Sequence, residues 1–231
     1  MFDLRLSEKF LDVLLPARCG GCGRLGAWLC DSCRRGCRRL EEPLCPRCGV
    51  ELPLVRAGCG CRARLRALRR LRAATAYEGP VERAIHRLKY EGWRPVGRPL
   101  AGLVADRVAV DGLAAAVLVA VPLHPRRLRE RGFNQAELLA AELRRRLRLA
   151  APPGELVRVR DTPPQVGLDR VRRAENMLGA FRWQGQDLAG TAVALIDDVA
   201  TTGATLEACA QALREGGAGP VTGLAVARRA A

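Results

Sequence analysis

The chain has 231 residues, 48% of them hydrophobic and 27% charged, which is enough apolar content for a packed core and excludes a disordered chain. Its formal net charge of +15 is carried almost wholly by arginine, Lys9 and Lys89 being the only lysines. That balance excludes an acidic solvating protein and admits phosphate-rich partners, while an aromatic content of 4% argues against base-stacking platforms as the main mode of contact.

The opening residues carry acids at Asp3, Glu8 and Asp12 inside an apolar stretch, unlike the uncharged centre of a signal peptide. The longest uncharged apolar run, Gly112 to Leu123, is too short for a membrane helix. A soluble, cytoplasmic protein with no membrane insertion is expected. Ser7 is placed to cap a short N-terminal helix, assigned to residues 1–17, with Phe10, Val13 and Leu14 on one face and Pro16 at its end.

Nine of the ten cysteines follow between Cys19 and Cys61. Without an export signal, metal binding accounts for them better than disulfides. Three pairs have CxxC spacing, Cys19–Cys22, Cys30–Cys33 and Cys45–Cys48, and a fourth, Cys59–Cys61, is one residue shorter. Two such turns complete a tetrahedral thiolate site that stands in for a hydrophobic core in a module too small to build one. Two structural Zn²⁺ ions are therefore predicted, one on Cys19, Cys22, Cys30 and Cys33, the other on Cys45, Cys48, Cys59 and Cys61, with Cys37 a substitute ligand. This double zinc ribbon is assigned to residues 18–66. Four thiolates leave no open coordination position, so the zinc is structural rather than catalytic.

Arg62 to Arg72 places Leu65, Leu68 and Leu71 three apart among arginines, a basic amphipathic helix or turn linking two domains, with a linker that packs its leucines on the next domain as the favoured reading. From residue 67 to 231 strand and helix patterns alternate, the signature of an α/β domain with a parallel sheet covered by helices. Strands are predicted at Ala73–Tyr77, Ala115–Val121, Leu156–Val159, Thr191–Ile196 and Val221–Ala227. Helices are predicted from Pro80 to Tyr90, from Asn134, where Asn134 and Glu137 resemble a capping box, and from Thr205 to Glu215. Cys209 falls on the apolar face of the last helix as a core residue.

The most informative stretch is AVALIDDVATTGAT, Ala192 to Thr205. An apolar strand ends in Asp197 and Asp198, and a hydroxyl-rich turn then leads into a helix. Amides entering a helix converge on an anion, Thr201, Thr202 and Thr205 add hydroxyl donors, and Gly203 permits close approach of the backbone. Carboxylates beside a phosphate make sense if the ligand also carries donors, and the two adjacent hydroxyls of a ribose supply them. A ribose 5-phosphate fits both halves. A P-loop does not, because neither lysine follows a glycine.

This string resembles the 5-phosphoribosyl-1-pyrophosphate (PRPP) motif of type I phosphoribosyltransferases, and the whole chain resembles ComF/GntX-type phosphoribosyltransferase-like proteins, a family linked to competence and DNA uptake. The resemblance rests on the double ribbon, on Leu88-Lys89-Tyr90, on VPLHPRRLRERGFNQAELLA from Val121 to Ala140, and on Gln165, Leu168, Arg173, Asn176 and Phe181. It implies a PRPP loop formed by Val199, Ala200, Thr201, Thr202, Gly203, Ala204 and Thr205, with a pyrophosphate loop between Val121 and Arg131. It also implies a mobile active-site loop from Thr162 to Asn176. Arg126, Arg127 and Arg131 with Mg²⁺ are suited to departing pyrophosphate, Lys89 is a further contact, and Arg173 would close over the site. A hood over the acceptor has two candidates, the zinc module and Gly92 to Asp111. His124 is read as an exposed loop residue with phosphate contact as the alternative, and His86 as structural.

Two functions follow as expectations. One is a Mg²⁺-dependent glycosyltransferase in which Asp197, Asp198 and Arg173 serve transfer of the phosphoribosyl group to a nitrogen acceptor. The other is a non-catalytic module that senses PRPP, or binds single-stranded DNA or a protein of the competence machinery.

Overall fold

The computed structural model describes residues 16–52, 59–160 and 179–229. The expected N-terminal helix and the Thr162–Asn176 loop, with Arg173, lie outside these residues, apart from Pro16 and Ala17.

Four strands form a parallel sheet: β1 (Leu68–Ala76), β2 (Val117–Ala120), β5 (Val193–Ala200) and β6 (Val221–Arg228), in the order β1-β6-β5-β2. The two central strands are buried along nearly their whole length, which explains their continuous apolar runs. Helices α3 (Gly97–Asp111) and α5 (Gln135–Leu147) pack on each other; α3 lies against β1 and β6, and α5 against β2 and β5. Helix α6 (Ala204–Glu215) packs against β1, β5 and β6 from the other side. A two-stranded antiparallel sheet, β3 (Gly154–Arg158) and β4 (Phe181–Gly185), rests on α6. Among the described residues no helix is long and apolar enough to cross a membrane.

Two expectations need correction. Arg62–Arg72 is not a helix: a 3-10 turn covers Cys61–Ala63 and β1 begins at Leu68, while Leu65, Leu68 and Leu71 are buried against the domain as the linker reading expected. A register shift between Leu68 and Arg70 puts Leu68 and Leu71 on one face, both within reach of a Cβ built at Gly223. A bulged strand thus imitates helical spacing. The expected capping box is half formed, because Asn134 accepts from the Ala136 amide whereas Glu137 turns to Arg144 at 2.7 Å. The Gly92 to Asp111 region contains α3, whose Leu100, Leu103 and Val104 are core residues.

The cysteine module is built into this fold. The first knuckle lies flat on α2 (Gly79–Tyr90): Arg83 donates to the Gly21 carbonyl, and Arg87 to those of Cys19 and Gly20. A Cβ on Gly20 would stand 2.9 Å from Val96, and one on Gly21 2.7 Å from the Cys33 sulfur, so the contact requires glycine. The second half lines the outer edge of β1, where the Leu71 amide donates to Arg47 and Arg39 bridges Thr75. An edge strand that would otherwise offer open amides is covered.

Candidate functional site

The two predicted cysteine quartets assemble. The sulfurs of Cys19, Cys22, Cys30 and Cys33 lie within 4.8 Å of one another, as do those of Cys45, Cys48, Cys59 and Cys61. Tetrahedral zinc with bonds of about 2.3 Å sets sulfurs about 3.8 Å apart. Cys19–Cys30 at 3.6 Å, Cys22–Cys30 at 3.8 Å and Cys45–Cys61 at 3.7 Å match that edge. The donor chemistry and spacing therefore fit two structural zinc ions. The short Cys59–Cys61 turn closes because Gly60 adopts a left-handed φ of 60°. Burial works against ionisation of Cys19, but amides of Cys30, Cys22 and Gly21 pointing at its sulfur hold its pKa near 6. Cys37 is in neither cluster; its buried thiol donates to the Cys33 carbonyl at 3.2 Å.

At the C-terminal end of the sheet, β5 runs through Asp197 and Asp198 to Ala200, beyond the predicted end at Ile196. Thr201 to Gly203 then turn into α6. Gly203 is the helix N-cap, with φ of 85°, and the Thr202 hydroxyl accepts from the Ala204 amide at 3.3 Å. Val199, Thr201, Thr202, Ala204 and Thr205 are partly exposed around the turn, and the first-turn amides of a helix are the donors an anion would meet there.

The two carboxylates differ. Asp198 is buried, accepts from the Val199 amide at 2.7 Å, and faces the Lys89 ammonium at 2.6 Å. Burial works against the Lys89 charge, yet Asp198 and then Asp197 raise its pKa above the ordinary lysine value. Asp197 is partly exposed and stands in front; burial, aided by the Asp198 charge, pushes its carboxyl up to about 7.

The rise at Asp197 fixes a sign. In the unfolded chain it ionises near 3.8, in the fold near 7, so between these values the folded state holds a proton that the unfolded chain has released. Stability falls with rising pH across that window and levels off above it. Asp197→Asn removes the penalty. Its melting temperature is expected to exceed wild type above about pH 8 and to converge with it near pH 4; an equal gap at both ends would refute the assignment.

Lys89 also lines a cleft of about 440 Å³ with Tyr90, Gly92, Arg127, Glu130, Arg131 and Phe133. Helix α4 (Pro125–Arg131) supplies three of these, so the expected pyrophosphate loop is a short irregular connection, Val121 to His124, followed by a helix. Of the predicted cations, Lys89, Arg127 and Arg131 reach this cleft, while Arg126 pairs with Glu130 at 3.0 Å. His124 caps α4, its Nδ1 accepting from the Arg126 amide at 3.3 Å, which gives the ring a structural task. His86 packs on Tyr90.

The RGFNQ run now has a local account. Arg131 bonds Gln135, Gly132 ends α4 in a left-handed conformation, Phe133 is buried under the Arg94 guanidinium, and Asn134 caps α5 while its amide donates to the Val121 carbonyl. Reading residues singly missed Tyr90, 68% exposed beside Lys89, and Glu130 and Phe133. The signal for Tyr90 was its place directly after Lys89.

Comparison with known proteins places relatives along most of the chain. A double zinc ribbon domain matches residues 10–65. The DNA utilization protein YhgH of Escherichia coli is 33% identical over 90% of this chain and 96% of its own length. Competence protein F of Haemophilus influenzae is 32% identical over 81% of this chain and 84% of its own, and competence protein ComFC of Bacillus subtilis 30% over 82% and 79%.

Proposed function

We propose, because this chain belongs to the ComF/GntX-type family of phosphoribosyltransferase-like proteins, that it binds PRPP with Mg²⁺ and transfers the phosphoribosyl group to a nitrogen acceptor. The observation that carries this reading is the strand end at Asp197 and Asp198 leading through a Thr-Thr-Gly turn into α6, with Lys89 joining it to a cationic cleft. In this reading the 5-phosphate sits on the amides and hydroxyls of 199–205, and Asp197 accepts from the ribose hydroxyls. Asp198 holds Lys89 at the junction, and Arg127 and Arg131 face the diphosphate.

Transfer breaks the bond from C1 to pyrophosphate and forms one from C1 to the acceptor nitrogen, whose proton leaves to solvent. No covalent nucleophile is needed, and Cys209, fully buried under the sheet, is not placed to act as one. Mg²⁺, carried in with the diphosphate, would neutralise the charge that develops on the leaving group. Arg173 is proposed to close over the site and exclude water.

Calorimetric titration of PRPP with Mg²⁺ tests the reading. Saturable binding to wild type is expected, weakened about tenfold or more in Asp197→Asn, the loss expected when charged hydrogen bonds disappear. The names of the relatives favour a second reading, in which the arginine-rich surface binds single-stranded DNA or a protein partner linked to DNA uptake without turnover. A folded wild type that binds no PRPP but binds an oligonucleotide at low salt would put that reading first.

A further inference from the structure

We propose that zinc at the second cysteine cluster holds the sugar-phosphate turn in its binding geometry, and that Arg47 and Glu207 are the positioning residues that transmit this. The inference rests on the sugar-phosphate reading of residues 199–205.

The path is contiguous. Arg47 lies inside the Cys45–Cys48 knuckle, so a metal that fixes both sulfurs fixes the origin of its side chain. From there Nε donates to the Leu65 carbonyl at 2.6 Å, and a second guanidinium nitrogen to Arg66 at 3.2 Å. The amides of Arg66, Ala67 and Leu68 all donate to the Glu207 carboxylate, at 2.6, 2.6 and 3.0 Å. Glu207 belongs to the first turn of α6, immediately beyond Gly203 to Thr205. The same segment buries Leu65 and Leu71, and a Cβ on Gly203 would stand 3.3 Å from Leu65 and 3.1 Å from Leu71. The turn therefore rests on the linker from below while the linker grips its helix from the side.

Charge gives this arrangement a reason. A free carboxylate in the first turn of a helix takes up the favourable dipole that a phosphate would use and repels the phosphate directly. Engaged by three amides, Glu207 faces the linker instead. The second cluster has another hold on the sheet end, where Arg228 donates to the Cys48 carbonyl at 2.6 Å and pairs in register with Ala200, the residue before Thr201. If metal and sugar phosphate favour the same arrangement of one element, each must strengthen binding of the other by the same factor.

The test uses the full, zinc-loaded chain as wild type, Arg47→Met, Arg47→Lys and Glu207→Ala. Zinc content, PRPP affinity with Mg²⁺, and hydrogen exchange of amides 199–207 are measured for each. Arg47→Met is expected to keep the zinc content of wild type while its turn amides exchange faster and its PRPP affinity falls about tenfold, a common size for coupling between sites. Arg47→Lys should recover part of both, since an ammonium still reaches one carbonyl. In wild type PRPP should slow transfer of zinc from the second cluster to a colorimetric chelator, an effect lost in Arg47→Met. Should Arg47→Met lose zinc, Glu207→Ala, remote from the sulfurs, decides through the same exchange signature. Unchanged exchange and affinity in a zinc-loaded variant would overturn the coupling, and tighter PRPP binding by Glu207→Ala would show that repulsion outweighs support. A wild type that binds no PRPP would refute the sugar-phosphate reading alone, leaving exchange at the turn to judge the coupling.

Discussion

Lys89→Met is expected to cost about 3–5 kcal/mol of stability at neutral pH, measured by urea denaturation, because it strands a buried carboxylate. Lys89 and Asp198 face each other at 2.6 Å with only 19% and 4% of their side chains exposed. Methionine keeps most of the volume and removes the ammonium, so Asp198 retains its Val199 amide bond but loses its counter-charge. Asp198→Asn in the Lys89→Met background should recover most of the loss, since replacing both members of a buried pair costs far less than removing one. A Lys89→Met chain as stable as wild type would mean that the pair is solvated.

The consequence for function is separate from the stability cost. Lys89 is both the partner of Asp198 and a wall of the cationic cleft, so among the described residues it joins the strand end proposed for the sugar to the cleft proposed for pyrophosphate. Its raised pKa keeps it charged through the physiological range, as a residue facing two carboxylates and a diphosphate would need to be.

What could be read from the sequence depended on whether the signal was local. The knuckles, the strand-turn-helix at 192–215 and the Asn134 cap are set by neighbouring residues, and they appear at or near the predicted places. The bulged start of β1 could not be read, because its three-residue leucine spacing is decided by pairing with β6 about 150 residues later. Helix α3 was overlooked for a similar reason: small and branched residues on nearly all sides leave it little amphipathic pattern, and its burial comes from α5, β1 and β6. At the site, the types of Asp197 and Asp198 suggested a sugar, and strand alternation separates their surroundings, but the match of Asp198 to Lys89, more than a hundred positions earlier, is set by the fold. Residue spacing likewise gave no hint that Glu207 engages the linker, since its partners are backbone amides, which every residue carries, brought to it only by the fold.

Cys33→Ser is expected to lose the zinc of the first cluster and to lower the melting temperature by at least about 10 °C, because such a site supplies folding energy directly and a few kcal/mol moves a chain of this size by that much. The knuckle has little apolar core of its own. Its carbonyls are gripped by Arg83 and Arg87, and its glycines lie against Ala84, Val96 and Pro80, so α2 loses its cover when the ribbon opens. Lys89 sits near the end of that helix, and the damage should therefore reach the Asp198 pair. Cys37 provides the control. Its thiol lies one turn beyond Cys33 and donates to the Cys33 carbonyl, which directs it away from the four sulfurs. Cys37→Ser alone should keep its zinc and melt near wild type. If instead Cys33→Ser keeps its zinc and only the Cys33→Ser, Cys37→Ser double variant loses it, Cys37 is a working substitute ligand and the first site has five available thiolates.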